Sequence, residues 1–154
     1  MSSIQLRNVT AADFPALFRN ELDFESNQMA AVVPREAAAF EAHWVKVLGD
    51  PDVVAKAILV DGRFAGDIGC FKAGGEYMIG YRVAREYWGQ GVATRALKLL
   101  LQLVPHRPLH ARVATHNKGS IRVLEKCGFT IIGHEQAPAT ERYLECDETI
   151  LILR

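Results

Sequence analysis

The chain has 154 residues, of which 49% are hydrophobic and 23% charged, a balance typical of one folded domain spanning 1–154 and not of a disordered chain. Its 18 Lys and Arg residues match 18 Asp and Glu residues, so no overall field draws it to nucleic acid or an acidic membrane. The N-terminus lacks the apolar core of a signal peptide, and no run approaches the ~20 apolar residues of a membrane span. We therefore expect a cytoplasmic protein with neither a nucleic-acid nor a membrane partner.

The three cysteines, Cys70, Cys127 and Cys146, are widely spaced and form no C-x-x-C pair. Such spacing indicates neither a disulfide framework nor a zinc site. The five histidines also show no metal-ligand spacing. We expect no bound metal, and cysteines that behave as small buried apolar residues.

The first third of the chain predicts one strand and two helices. Residues 4–9 alternate apolar and polar side chains, which is typical of a strand. A capping pattern at Thr10 opens a short helix that ends near Asn20. Pro34 suits the first turn of a second helix, which runs through Leu48. The apolar face of this helix comprises Phe40, Trp44, Val47 and Leu48.

Three strands joined by tight turns follow, over residues 53–60, 64–71 and 77–83. The first turn, Asp61-Gly62, is a strong two-residue hairpin sequence, and Gly74-Gly75 makes the second. The segment is predicted to be an antiparallel meander.

The pattern then changes to a strand–helix–strand unit. Apolar residues recur at helical spacing over 92–104, and 109–115 forms the next strand. Because such crossovers are right-handed and join parallel strands, strand 109–115 should lie parallel to 77–83.

The last segment predicts a short helix and two strands. Asn117 is a good N-cap for a helix that ends at Gly128, and residues 129–133 and 149–153 form the strands. The result is an α+β domain with one mixed, mostly antiparallel sheet that has a parallel central pair and flanking helices. An exposed final strand could pair with a second copy, which would give a homodimer.

The sequence most informative for chemistry is Tyr87-Trp-Gly-Gln-Gly-Val-Ala-Thr94. Its glycines stand between a strand and a helix, where free backbone N–H groups and the positive helix end bind phosphate. No Lys follows them, so a P-loop is excluded. Thr94 occupies the last glycine position of G-x-G-x-x-G, and the preceding meander is not a dinucleotide fold.

Two stretches of the chain resemble a known family. The spacing of Gly91 and Ala93 resembles the Q/R-x-x-G-x-G/A signature of the GNAT superfamily of N-acetyltransferases. Residues 79–83, Ile-Gly-Tyr-Arg-Val, together with 87–94 resemble its ribosomal-protein N-terminal acetyltransferase (RimJ/RimL-like) branch. The stretch Asn117–Phe129 is similar to that branch's N-x-x-S-x-R-x-x-E-K-x-G-F motif. The clear resemblance covers residues 76–133.

The chain departs from the family pattern at two positions. Trp88 stands where the general signature has Gln or Arg, although this branch commonly carries Trp there. Met78 stands where many members have Glu, and the nearest acid is Glu76, two residues earlier.

The resemblance implies a fold and a cosubstrate, acetyl-CoA. Its pyrophosphate would rest on backbone N–H groups from Gly89 to Thr94. Arg95 and Lys118 are either solvated surface charges or further phosphate contacts. The pantetheine arm would lie between strands 77–83 and 109–115, with the N–H of Val83 on the thioester carbonyl. The implied cofactor-binding residues are Val83, Trp88, Gly89, Gln90, Gly91, Val92, Ala93, Thr94, Asn117 and Ser120.

The resemblance also implies direct transfer of an acetyl group to an amine. A primary amine is protonated at neutral pH and must lose a proton; Glu76, Tyr81, His116 or a water chain could receive it. By family resemblance the Ser120 hydroxyl lies near the sulfur and would serve the departing thiolate. The catalytic residues expected are therefore Ser120, Glu76 and Tyr81.

The acceptor stays open between a protein N-terminus and a small-molecule amine. An alternative is a sensor that binds acyl-CoA without turnover, because the Glu expected at Met78 is missing. A sensor would bind acetyl-CoA and release no free thiol.

Overall fold

The computed structural model describes residues 2–154, which form one sheet flanked by helices. The strands are β1 (Ile4–Asn8), β2 (Val54–Val60), β3 (Arg63–Ala73), β4 (Glu76–Val83), β5 (Leu109–Ala114), β6 (Thr130–Ala137) and β7 (Cys146–Leu153). The helices are α1 (Phe14–Glu21), α2 (Phe24–Ala30), α3 (Ala37–Gly49), α4 (Val92–Leu103) and α5 (Lys118–Lys126). None of the helices in this part of the chain has the length and apolar character needed to span a bilayer.

The strand order is β1-β2-β3-β4-β5-β7-β6. Within residues 2–154, neighbouring strands are antiparallel except for the central β4 and β5, which are parallel. The predicted mixed sheet with a parallel central pair is confirmed. The Asp61-Gly62 hairpin is also confirmed, since both residues have positive φ, 50° and 80°, as a two-residue turn of this kind requires.

Two apolar clusters hold the helices on opposite faces of the sheet. On one face, α4 buries Ala96, Leu97 and Leu100 completely against the sheet, as its helical periodicity predicted. On the other face, Phe40 of α3 contacts Phe18 of α1, with ring centroids 4.9 Å apart. Each helix layer therefore covers one side of the strands, and the sheet separates two compartments.

The central pair of strands separates after a short contact. β4 pairs with β5 only at Tyr77↔Leu109 and Met78↔His110, although β4 continues to Val83. The outer edge of β5 pairs with β7 along its whole length. Beyond Met78, the edge of β4 that faces β5 therefore has no strand partner, and a wedge-shaped gap opens in the middle of the sheet.

Two predictions about the elements are wrong, and one helix was not predicted. The second predicted helix begins at Ala37, not at Pro34, and Leu48 on its expected apolar face is 40% exposed. The sequence also hid α2, whose first residue, Phe24, is 72% exposed. Because Phe24 lies outside the core, α2 lacks the buried apolar face by which amphipathic helices are recognised.

The final strand is not an edge. β7 lies between β5 and β6 and is hydrogen-bonded to both, so it offers no free ladder to a second copy. The predicted dimer through this strand is therefore wrong in its geometry, and the sheet edges are β1 and β6.

A buried ion-pair cluster ties together the segments on the α1–α3 face. Glu21, at the end of α1, is 6% exposed and pairs with Arg35 at 3.2 Å and with Arg142 at 2.7 Å. Burial alone would raise the pKa of Glu21, but the hydrogen bond and charge of Arg142, helped by Arg35, lower it overall. The carboxylate thus anchors both the segment before α3 and the β6–β7 connection.

Replacing Glu21 with Gln should destabilise the fold by about 3 kcal/mol at pH 7, because two partly buried guanidinium groups lose their counter-charge. Since the folded pKa is lowered, the stabilisation is present above the unfolded-state pKa and is lost as pH falls through the folded one. The free energies of urea unfolding of wild type and Glu21→Gln should therefore converge as pH falls below the ordinary glutamate value and through the lowered pKa of Glu21. Glu141→Gln, at an exposed site, is the control, and an equal loss there would contradict the assignment.

Candidate active site

A cavity of about 520 Å³ lies where β4 and β5 separate, on the face covered by α4 and α5. Most of the residues implied by the resemblance surround it. Those lining it are Tyr81, Val83, Trp88, Gly89, Gly91, Val92, Ala93, Thr94, Asn117 and Ser120. The β4 end, the glycine loop and the α5 start thus meet at one place.

The glycine loop gives α4 an uncapped N-terminus. Gly89 and Gly91 have φ of 73° and 75°, a left-handed conformation that glycine adopts without a Cβ penalty. No side chain caps Gly91, and a Cβ placed there would meet nothing within 4 Å. The first N–H groups of the helix, from Val92 to Thr94, therefore face the cavity with their positive dipole end.

Trp88 fastens this loop to the end of β4. Its indole Nε1 donates to the carbonyl of Val83 at 2.8 Å. The next residue, Ala84, donates its N–H to Ala65 in β3. Because successive residues of a strand turn their backbone groups to opposite edges, Val83 turns its own N–H toward the gap.

Tyr81 and Ser120 join β4 to the first turn of α5. The Tyr81 hydroxyl lies 2.7 Å from Ser120 Oγ and 3.1 Å from the Ser120 carbonyl. Burial raises the pKa of Tyr81 to about 12, against a smaller lowering by Ser120. The phenol therefore keeps its proton at neutral pH, which suits a hydrogen-bond donor and not the proton acceptor considered from the sequence.

Asn117 holds the first turn of α5 in position. Its Oδ1 accepts the N–H of Ser120 at 3.3 Å, so the expected N-cap of this helix is confirmed. This cap orients the turn that carries the Ser120 hydroxyl into the cavity.

The basic residues on the cavity wall are not those named from the sequence. Arg122 and Lys126 line it, whereas Arg95 and Lys118 do not. Arg122 and Lys126 are four residues apart in α5 and therefore share one helix face. That spacing was visible in the sequence and could have identified them.

Three residues considered for the site lie outside this cavity. Glu76, at the closed end of the gap, is paired with His110 at 2.9 Å and has a half-exposed side chain. It stands five residues from Tyr81, ~17 Å along the strand. The Gln90 side chain donates to the carbonyl of Glu86, and His116 Nε2 bonds the carbonyl of Gln28.

A second cavity, of about 930 Å³, opens on the opposite face of the sheet, beneath α1–α3. Tyr81 and Arg82 line both cavities, so the two meet at the gap. This second cavity contains Asp67 of β3, a residue that no motif in the sequence singled out.

The chain matches the model of a protein family described as the "Acetyltransferase (GNAT) domain" over residues 3–130. It therefore belongs to the GNAT acetyltransferase family. The protein is an N-acetyltransferase, and its cosubstrate is acetyl-CoA. No curated protein is significantly similar to it in sequence.

Solved structures share the fold at low identity. A Vibrio cholerae spermidine N-acetyltransferase, in complex with CoA and spermine, is 16% identical with a TM-score of 0.80, covering 97% of this chain and 95% of that one. RimL, a ribosomal L7/L12 α-N-protein acetyltransferase in complex with coenzyme A, is 18% identical with a TM-score of 0.80, covering 98% and 93%. Mycobacterium smegmatis RimJ, in complex with CoA-disulfide, is 22% identical with a TM-score of 0.78, covering 97% and 81%.

Replacing Gly91 with Glu should abolish stabilisation by CoA, because it adds bulk and negative charge to the phosphate cradle. CoA at a hundredfold excess over its dissociation constant should stabilise the wild type by about 2.7 kcal/mol, measurable as a thermal shift. Gly62→Glu is the matched control: Gly62 also has a positive φ, 80°, and open space beside it, but lies in a distant hairpin. A normal CoA response in Gly91→Glu would mean that the phosphates bind elsewhere.

Proposed function

We propose that the protein transfers an acetyl group from acetyl-CoA to a primary amine by direct attack of the amine on the thioester. The observation that carries this proposal is the gap between β4 and β5, which has the Tyr81–Ser120 pair on one face and an open cavity on the other. Such a gap admits two reactants from opposite sides and brings them together beside one strand edge.

The cosubstrate fits the glycine-loop cavity by charge and shape. The free N–H groups from Val92 to Thr94 and the cations of Arg122 and Lys126 would hold its diphosphate. Backbone groups of β4 beyond Met78 have no strand partner and can pair with the amides of its pantetheine arm. Acetyl-CoA, when bound, supplies a thioester whose carbonyl carbon accepts a nucleophile.

Two sets of hydrogen-bond donors support the transfer. The N–H of Val83 points into the gap and would stabilise negative charge on the thioester oxygen. The Ser120 hydroxyl would donate to the sulfur as it leaves, held in position by the Tyr81 hydroxyl, which donates to the Ser120 carbonyl at 3.1 Å. Because both hydroxyls are already oriented by their mutual contact, little ordering is needed during the reaction.

The cysteines favour direct attack over an acyl-enzyme route. Burial raises the pKa of Cys70 and of Cys127. A thiol with a raised pKa has little thiolate at neutral pH and is a poor nucleophile. The amine itself is then the nucleophile.

The acceptor class follows from the second cavity and the relatives. Spermine is bound in the Vibrio cholerae structure, and RimL acts on a ribosomal protein N-terminus. The acceptor of this chain would be a primary amine of either kind, a peptide N-terminus or a small molecule, entering beneath α1–α3.

Release of free CoA thiol across a panel of amines tests the proposal. The panel should include polyamines, aminoglycosides, amino acids and short peptides with different N-terminal residues. At least one amine should release thiol in proportion to the acetylated product. Binding of acetyl-CoA with no release from any member would instead support a sensor.

Ser120→Ala and Tyr81→Phe should each lower kcat by about 10-fold or more while changing the dissociation constant of CoA less than 3-fold, since the first removes the donor to the leaving sulfur and the second removes the group that orients it. The double variant should lose less than the product of the single losses, because the two hydroxyls act as one bonded unit. Exposed Ser3→Ala is the control. An unchanged kcat in Ser120→Ala would remove this serine from the mechanism.

A further inference from the structure

The second cavity is lined by the carboxyl group of Asp67. Asp67 lies in the middle of β3 and is partly buried, and its accessible surface faces this cavity. Within residues 2–154 it makes neither a side-chain hydrogen bond nor an ion pair. Partly buried carboxylates are costly without partners, so a group kept there without one points to a ligand.

Asp67 lies at the same level of the sheet as the Tyr81–Ser120 pair. Asp67 is paired with Arg82 in the β3–β4 ladder, one residue from Tyr81. Side chains directly opposite in a ladder share a face, and neighbours along a strand alternate. Asp67 therefore stands level with the Tyr81–Ser120 pair, on the opposite face of β4.

The floor beside Asp67 has two glycines, and its nearest side chain is the Phe71 ring, 3.3 Å from where a Cβ of Gly80 would lie. The next residues on the same face, Gly69 of β3 and Gly80 of β4, form a pair with no side chains. Asp67 is one strand, ~4.8 Å, from the edge of β4 that borders the gap. An amine that enters the cavity beside the Phe71 ring would reach the space between the carboxyl and the gap, since Asp67, Phe71 and Gly80 all line it.

The charged groups around Asp67 leave its carboxyl free. Arg82 is directed away, with its guanidinium donating to the carbonyl of Asn20 and to Asn27 Oδ1 at 3.0 Å. Glu21 is occupied by Arg35 and Arg142, and His43 of α3 also lines the cavity. The β2 residue opposite, Ala57, carries no charge.

We propose that Asp67 is the proton acceptor for the amine substrate, acting from the α1–α3 face while the thiolate leaves on the other. This assignment rests on the proposed acetyl transfer. The ammonium loses two protons as the nitrogen–carbon bond forms and the carbon–sulfur bond breaks. One goes to Asp67 and then to water in the cavity, and the other ends on the sulfur.

The electrostatics at Asp67 suit this task at neutral pH. Burial raises its pKa to about 7, opposed by Arg82 and assisted by Glu21. A base whose pKa lies near the working pH combines an available unprotonated form with adequate basicity. Glu76 lies on β4 six residues from Arg82, at the end of the gap far from the Tyr81–Ser120 pair.

The test uses whichever amine the wild-type enzyme acetylates, so a failure of the proposed function would already be apparent. Asp67→Asn should lower kcat/KM at pH 7 by at least 100-fold while leaving CoA affinity unchanged. Asp147→Asn, an exposed site on β7, is the matched control. An Asp67→Asn enzyme that keeps wild-type kcat/KM, or a loss found only in Glu76→Gln, would overturn the assignment.

The pH profile gives a second readout. Wild-type kcat/KM should rise with unit slope up to about pH 7 and then level off, as Asp67 loses its proton. In Asp67→Asn the rise should continue toward the pKa of the amine, about 10 for an alkyl amine and about 8 for a peptide N-terminus, because only the neutral amine reacts. The same bend near pH 7 in both enzymes would show that another group takes the proton.

Thermal unfolding checks that Asp67 has no hidden structural partner. A raised folded-state pKa means that stability is lost as pH rises from the unfolded-state value, near 4, through about 7. Asp67→Asn should therefore melt higher than wild type at pH 8 and at a similar temperature at pH 4. A lower melting temperature of the variant at both pH values would overturn the assignment.

Discussion

The separation of β4 from β5 after two residue pairs is the constraint on which the rest of the structure depends. A continuous parallel pairing would satisfy the backbone of β4 and close the middle of the sheet. β5 keeps full pairing with β7 on its other edge, and β4 keeps its pairing with β3, so the two strands part without loss of the outer ladders. The backbone N–H groups of β4 then become available to a ligand, and the helices on each face cover two chambers that meet at the gap. Trp88 stabilises this arrangement by donating its indole N–H to the last carbonyl of β4, so the strand end is held without a neighbouring strand.

The two faces of β4 carry opposite proton chemistry. On the α4–α5 face, a phenol whose pKa is raised to about 12 keeps its proton and is oriented by a serine in a capped helix turn. On the α1–α3 face, a carboxyl near neutrality lies among arginines that are bound to other groups. Burial causes both shifts, but it keeps the phenol neutral and makes the carboxylate more basic. The single strand β4 thus separates the hydroxyl donors from the proposed proton acceptor. Acetyl transfer between reactants that approach from opposite faces requires such an arrangement.

The sequence predicted the fold and the cosubstrate side well, because those features are local. Hairpin turns, the α4 periodicity, the glycine loop and the Asn117 cap each lie within a few residues, and their consequences follow from short-range physics. The acceptor side was poorly predicted. Asp67 lies in an ordinary strand pattern, and its environment is created by α1, α2 and the β6–β7 connection, up to 75 residues away in the chain. The α2 helix was also missed, because its first residue, Phe24, is apolar but exposed. The internal place of β7 also depends on long-range pairing that local patterns do not encode.

The Glu21 cluster has a consequence for how such a protein could change its substrate. A single carboxylate clamps two otherwise separate stretches, around Arg35 and Arg142, onto the end of α1. The wall of the second cavity is therefore assembled from pieces that this one carboxylate joins to each other. Insertions or exchanges in those pieces can reshape the chamber while the coenzyme half keeps its architecture. Arg35 and Arg142 line the second cavity and not the glycine-loop cavity, whereas Ala30, Tyr81 and Arg82 line both. Diversification of the clamped stretches therefore changes the second cavity first.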